Sequence, residues 1–217
     1  MAVGRSPDEV TLVAVTKTYP VPDIRRLVDL GVHDVGENRD QEAAGKAAAL
    51  AGAGVVVRWH FVGQLQRNKC RSVVSYADLV HSVDSVALAG TLDRAAQHGR
   101  EFPLDVLVQI SLDGDTQRGG AVPGGGLPDR DLDRVVDAVA GATALRLCGV
   151  MAVAPPADDP GSAFARLADL AGRVRAVQPG AVLMSAGMSG DLEAALAHGA
   201  THVRIGGALL GKRAAVR

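Results

Sequence analysis

Eight short apolar runs, separated by segments of helical length, constrain this chain more than any other feature. The runs occupy residues 11–16, 34–36, 55–62, 79–83, 104–111, 145–152, 181–185 and 202–206. Helical patterns lie between them at 22–30, 39–50, 85–98, 129–139, 161–177 and 191–198. This alternation is the rhythm of a parallel sheet wrapped by helices. Apolar residues make up 47% of the chain and aromatics only 3%, so the core must be built from Val, Ala and Leu between buried strands and small-residue helices. A length of 217 residues suits one domain. Eight such units in one domain, residues 1–217, close into a (β/α)₈ TIM barrel of the α/β class. The rival, an open doubly wound sheet, would need a glycine fingerprint after its first strand, where Lys17, Thr18, Tyr19 and Pro20 stand instead. An internal echo, LVDLGVHDVGEN against LAHGATHVRIGG, supports the repeat.

Charge and composition narrow the partners. With 23 basic and 24 acidic residues the formal charge is -1, which lacks the basic footprint of a nucleic-acid binder and argues against anionic membranes. No apolar stretch approaches the roughly 18 to 20 residues that span a bilayer, and the first ten residues lack a secretory pattern, so a cytoplasmic location is expected. Cys70 and Cys148 show no metal-ligand spacing and read as reduced, buried thiols. Gly31, Gly99 and Gly199 each end a helical pattern, where a left-handed glycine closes a helix, and His98 and His198 beside them read as structural. Residues 113–128, with six glycines and two prolines, read as a mobile loop on the active face. No heptad or long apolar edge demands a dimer, so a monomer is expected.

In a barrel of this type chemistry sits where strands end. The residues there are Lys17, Glu37, Asn38, His60, Met151, the run from Ser185 to Ser189, and the run from Arg204 to Gly207. Period-2 alternation puts Lys17 on the face of Val13 and Val15, in an apolar mouth where desolvation favours the neutral amine that attacks an aldehyde. The other reading is a lysine that snorkels to the rim. Barrels bind phosphate with the loops after strands seven and eight, and Ser185, Ser189 and the nearby glycines offer neutral donors there, beside a helix beginning near Gly190. Ser189 could equally be the N-cap of that helix. Arg204, a cation in an apolar strand, needs a partner: a carboxylate such as Glu37, or the ring nitrogen of a bound pyridine. A Schiff-base lysine, a phosphate cup and a ring-nitrogen partner together describe a pyridoxal 5'-phosphate (PLP) site.

The segments LVAVTKTYP, VGENRDQE, WHFVGQLQRNK, CGVMAVAPP, SAGMSGDLEAAL and THVRIGGALLG occur in that order along nearly the whole chain. In them the chain resembles the pyridoxal phosphate homeostasis protein family (YggS-like proteins). The resemblance implies a fold-type III barrel similar to the N-terminal domain of alanine racemase, without the C-terminal β domain. It puts the PLP Schiff base on Lys17, the ring-nitrogen contact on Arg204 and phosphate contacts on Ser185, Ser189, Gly206 and Gly207. It also implies Asn38, His60, Met151 and Met188 as pocket lining. The implied role is to hold PLP and deliver it to PLP-dependent apo-enzymes in vitamin B6 homeostasis, without established turnover. The alternatives are a weak racemase or decarboxylase, and a Schiff-base aldolase acting without PLP. A racemase needs groups on both faces of the substrate carbon, and neither Tyr19 nor Tyr76 is clearly placed to be the second.

Overall fold

The computed structural model describes residues 3–124 and 127–211. Eight strands pair in parallel and in sequence order, and the last closes on the first. They are β1 (Thr11–Val15), β2 (Asp34–Glu37), β3 (Arg58–Phe61), β4 (Leu79–Val83), β5 (Leu104–Gln109), β6 (Leu145–Met151), β7 (Leu183–Ser185) and β8 (His202–Ile205). The α-helices among the described residues are α1 (Val21–Asp29), α2 (Asp40–Gly52), α3 (Cys70–Val74), α4 (Val86–Gly99), α5 (Leu132–Ala140), α6 (Pro160–Val177), α7 (Leu192–Ala197) and α8 (Gly207–Leu210). The closed (β/α)₈ barrel is the one the alternation predicts. No helix among the described residues is long and apolar enough to cross a membrane.

Alternation along each strand gives its two faces different surroundings. Outward residues such as Phe61, Val80, Val106, Val108 and Val203 pack beneath Leu92, Val135, Phe164 and Leu167 of the helices. A second cluster joins Val35 and Trp59 to Ile24 and Leu50. The inward face is different: a small apolar plug of Leu79, Leu107, Cys148 and Met151 shares the barrel interior with buried histidines, Ser185 and Arg204. Gly149 belongs to the bulge where β6 slips against β5. A Cβ there would lie 1.8 Å from the Leu183 carbonyl oxygen, so only glycine lets β7 come this close.

Side-chain caps start three of the longer helices. Ser85 accepts from the Leu88 N–H (3.3 Å), Asp131 from Arg134 (3.1 Å) and Asp159 from Ser162 (2.8 Å).

Several boundaries differ from those read in the sequence. The run at 55–62 yields strand only at Arg58–Phe61, because Val55 donates back to Leu50 and closes α2; Val56 is left 82% exposed. The run at 181–185 contracts to Leu183–Ser185, and the helix expected from residue 129 starts at Leu132 behind its Asp131 cap. Two short helices, α3 and α8, had no periodicity long enough to show. Gly31 and Gly199 take the expected positive φ (82° and 90°). Gly99 does not: α4 runs through it and stops at Arg100, whose N–H reaches Ala96.

The glycine-rich stretch is anchored to the barrel at residues 120–122. Ala121 is fully buried in the core, and Ile110 and Val122 form isolated bridges to Ala121 and Asp131. The Asp84 carboxylate accepts from Gly120 and pairs with Arg130 at 3.2 Å each. Gly125 and Gly126 of that stretch lie outside the described residues. Cys70 and Cys148 are free and buried as expected, and burial raises the Cys70 thiol to about 11.

Candidate functional site

Lys17 leaves the end of β1 in a tight turn. Tyr19 donates its N–H to the Thr16 carbonyl at 2.9 Å, which makes Lys17 the second residue of a four-residue turn. Thr18, the third, takes φ +68°, a left-handed conformation that a β-branched residue seldom adopts. Three charged side chains hold this backbone. Lys46, buried on α2, donates to the Thr16 carbonyl (2.8 Å), to Glu37 (2.6 Å) and to Glu42 (2.6 Å). Glu42 in turn accepts from the Thr18 N–H at 2.6 Å, and the Thr16 hydroxyl donates to Glu37 at 2.7 Å.

The two carboxyls of this clamp shift in opposite directions. Burial pushes Glu37 above its ordinary value, more than the hydrogen bonds from Lys46 and Thr16 recover. Burial also acts to raise Glu42, but Lys46, the Thr18 N–H and Arg39 outweigh it and hold that carboxyl low. Lys17 itself is exposed and makes no hydrogen bond or ion pair with the described residues. The expected desolvated lysine is therefore not found; the clamp holds the backbone and leaves the amine open to the mouth.

Arg204, on β8, is opposite Val13 in the register, four residues before Lys17, or roughly 13 Å of strand rise. It is buried within the barrel, where its guanidinium donates to the Ser185 hydroxyl (2.7 Å) and the Ala152 carbonyl (2.9 Å). Burial lowers Arg204 to about 10, still a cation at neutral pH. The carboxylate partner that Glu37 offered in the sequence is not realised. Asp34 and Gly36 face inward on β2, so Glu37 faces outward, toward α2. Both of these acceptors of Arg204 are neutral, and a buried guanidinium with five N–H groups retains donors for a further acceptor.

Ser185 is itself fully buried, its hydroxyl engaged by Arg204 and by His81 at 2.9 Å. His81 reaches on to His60 (2.9 Å), and His60 to Asp34 (2.8 Å). His60 was expected to line a pocket at a strand end. It lies one residue before the end of β3, points into the barrel and is 1% exposed. His81 and His202 were not singled out from the sequence. The signal was there in the run LVHSV, where His81 shares its alternating face with Leu79. Burial is the largest cause that holds His81 well below its ordinary value and His202 down at about 4.

The loop after β7 begins at the buried Gly187, whose φ is +93° and whose missing Cβ would meet the Ala195 side chain at 2.7 Å. Met188 and Ser189 follow and are exposed. Asp191 turns back to accept the Met188 N–H at 2.6 Å, and α7 starts only at Leu192. The N-cap is thus Asp191 and not Ser189, which leaves Ser189 at the loop tip. Gly206 and Gly207 follow Ile205 at the end of β8 and open α8. A Cβ on Gly206 would stand 3.3 Å from the Val15 carbonyl, so a bare backbone faces β1 here. N–H groups in a first helical turn have no intrahelical acceptor.

Met151 ends β6 within the inner apolar plug. Asn38 is half-buried and lines a cavity of about 570 Å³ with Arg39, Glu42, Phe61, Gln64 and Lys69. Gly63 passes so close that its Cβ would lie 2.3 Å from the Asn38 carbonyl oxygen. The structure thus places Lys17, Asn38, Met188, Ser189, Gly206 and Gly207 around the C-terminal end of the barrel, and Arg204, Ser185, Met151 and His60 beneath it.

Residues 2–214 match the family model of the alanine racemase N-terminal domain. A pyridoxal phosphate homeostasis protein of Mycobacterium tuberculosis is 45% identical over 98% of this chain and 86% of its own length. PipY of Synechococcus elongatus PCC7942, solved with PLP bound, superposes with a TM-score of 0.85 at 33% identity, covering 95% of both chains. The alanine racemase of Corynebacterium glutamicum shares the fold at a TM-score of 0.69 and 17% identity, over 99% of this chain but 58% of the racemase.

Proposed function

Because this chain belongs to the family of pyridoxal phosphate homeostasis proteins, we propose that it holds PLP through Lys17 at the barrel mouth and delivers it, as a monomer, to PLP-dependent apo-enzymes. The observation that carries the assignment of residues is Arg204: a buried cation whose side-chain acceptors among the described residues are both neutral, on the strand paired with the one that leads into Lys17. Such a cation suits an unprotonated ring nitrogen as acceptor, and two residues on, Gly206 keeps the backbone bare where a Cβ would stand 3.3 Å from the Val15 carbonyl oxygen.

In this reading Lys17 holds the cofactor's aldehyde carbon covalently, and the Thr16–Tyr19 turn fixes the direction from which the amine approaches. Ser189 and the backbone N–H groups of Gly206 and Gly207 receive the phosphate; Asn38, Met151 and Met188 line the remaining walls. Ser185 and His60 act from below, by bracing Arg204. When bound, PLP supplies an aldehyde for attachment and a ring that can accept electrons. A ring nitrogen that only accepts a hydrogen bond from arginine keeps that electron sink weak, which suits storage and transfer better than turnover. A racemase would need a second acid or base across the site. The Tyr19 hydroxyl donates to the Gly211 carbonyl at 2.5 Å, and burial, with Asp40, pushes the Tyr76 phenol far above its ordinary value.

The test is the visible absorbance band of protein plus PLP, before and after borohydride reduction, in wild type and Lys17→Ala. A reducible band lost in the variant, with the reduced adduct mapped to Lys17 by mass spectrometry, is the expected result. An adduct mapped to another lysine, or none, overturns the reading. Turnover of an amino acid by the purified wild type would instead favour an enzyme.

A further inference from the structure

A continuous line of side-chain hydrogen bonds crosses the barrel from Arg204 to Asp34. The links are Arg204 to Ser185 (2.7 Å), Ser185 to His81 (2.9 Å), His81 to His60 (2.9 Å) and His60 to Asp34 (2.8 Å). Arg204, Ser185, His81 and His60 are buried, and the Asp34 side chain keeps 27% of its surface. The links from β8 to β7, from β4 to β3 and from β3 to β2 join neighbouring strands, and the Ser185–His81 link, from β7 to β4, crosses the interior.

The direction of every bond follows from its two ends. An ionised carboxylate only accepts and a guanidinium only donates. Burial alone would raise Asp34, but His60, Arg58 and His202 outweigh it and keep it ionised. His60 must therefore donate from Nε2. With His60 neutral its Nδ1 is bare and accepts from Nε2–H of His81. The Nδ1 of His81 is then bare as well, and accepts from the Ser185 hydroxyl. Ser185, its proton committed to the interior, presents only lone pairs to Arg204. Each of the four bonds then has one donor and one acceptor, with no proton left over.

We propose that Asp34, His60 and His81 are positioning residues for Arg204, acting through Ser185, and that the carboxylate of Asp34 sets the direction of the whole line. This rests on the assignment of Arg204 to the cofactor ring. Without the Asp34 carboxylate nothing fixes the direction of the two central links, because either ring can donate or accept. The groups that face His60 are Asp34 on β2, His81 on β4, His202 on β8 with ring centres 6.0 Å apart, and Arg58 on its own strand.

Two measurements test this. Nitrogen-15 spectra of the histidines in the cofactor-free protein at neutral pH should show His81 protonated at Nε2 and bare at Nδ1; the opposite tautomer overturns the inference whatever PLP does. The second compares PLP affinity at neutral pH in wild type, His60→Gln and His60→Leu. Glutamine can accept from His81 and donate to Asp34, so it should keep near wild-type affinity. Leucine breaks the line and should weaken binding roughly tenfold, the usual scale for losing an outer partner. Equal affinity in all three proteins would overturn the inference while leaving the cofactor assignment standing. Absence of PLP binding to wild type would sink that assignment, and the tautomer result would still stand as a test of the line's direction.

Discussion

Lys17 and Arg204 belong to paired strands, yet the groups behind them differ in place, charge and hydrogen-bond logic. Behind Lys17, three charged side chains gather between β2 and α2, outside the barrel wall, and grip the backbone. Behind Arg204, two histidines and a serine run through the barrel interior and grip a side chain. The first arrangement leaves its amine free to form a bond, since the lysine is exposed and makes no hydrogen bond or ion pair with the described residues. The second fixes a guanidinium that only has to donate. A charged clamp suits a backbone, whose carbonyls and N–H groups are fixed dipoles. A line of imidazoles suits a cation, because it offers acceptors without neutralising the charge.

The largest break in this comparison should come from Lys46. Lys46→Met leaves Glu37 buried without its cation and frees Thr16 and Glu42 together. Breaking a buried pair in this way costs about 3–5 kcal/mol, to be read as a lower urea midpoint. Glu37 already has one oxygen, Oε2, buried without a partner. The double variant Lys46→Met with Glu37→Gln should recover much of the loss, because no uncompensated charge then remains. A single variant as stable as wild type would show that the clamp contributes nothing.

Acid should separate the two regions next. The His202 value falls from 6.5 to about 4, chiefly through burial, with His60 and Arg58 adding to it. The unfolded chain therefore binds a proton that the folded chain refuses between those limits. Stability is fully present above pH 6.5 and is lost as pH falls toward 4, by about 3 kcal/mol for this group; His81 acts in the same direction. Glu37 has the opposite sign, since a raised carboxyl makes folding harder as pH rises through its value. Urea midpoints measured from pH 7 to pH 4.5 should decline, and His202→Leu should flatten the decline. Leucine gives up one hydrogen bond, between Nδ1 of His202 and the Thr201 hydroxyl (2.9 Å), while the buried Nε2 has no partner to lose. An unchanged slope in the variant would move the acid sensitivity elsewhere.

Ser185→Ala should come third. It takes one acceptor from Arg204 and one donor from His81, and a buried group left unsatisfied costs about 1–3 kcal/mol. It should also weaken PLP binding, whereas Ser189→Ala should weaken binding with no change in stability. If both serines affected binding alone, Ser185 would be a contact to the cofactor and not a brace.

The eight strands were legible because valine and leucine cluster in strands and small residues separate them; their ends were not, since capping of α2 by Val55 and closure of α4 at Arg100 are decided by hydrogen bonds that no periodicity records. Lys17 and Arg204 were legible as polar residues at the ends of apolar runs. The role of Glu37 was not. Whether a carboxylate beside a strand end faces the barrel or its helices is a matter of parity, and one residue of uncertainty in the strand register reverses it. His81 was hidden in plain view, as a ring in an apolar strand whose partners, Ser185 and His60, lie 104 and 21 residues away.

The smallest expected effect lies at Thr18, and it sharpens the comparison most. A threonine at φ +68° carries about 1 kcal/mol of strain or more. Glycine would relieve that strain, but it also gives the unfolded chain more freedom, which offsets part of the gain. Thr18→Gly should therefore change stability by less than about 1 kcal/mol. The Glu42 bond to the residue 18 N–H survives the change, because it needs only backbone. What is lost is the restriction that any side chain places on the backbone at residue 18, so Lys17 should sample more directions and capture PLP more slowly. Slower capture at unchanged stability would show that the turn itself, and not only the charged clamp behind it, aims the lysine. Unchanged capture would mean that Lys46 and Glu42 suffice to hold the backbone and that the strain at Thr18 serves some end other than the direction of Lys17.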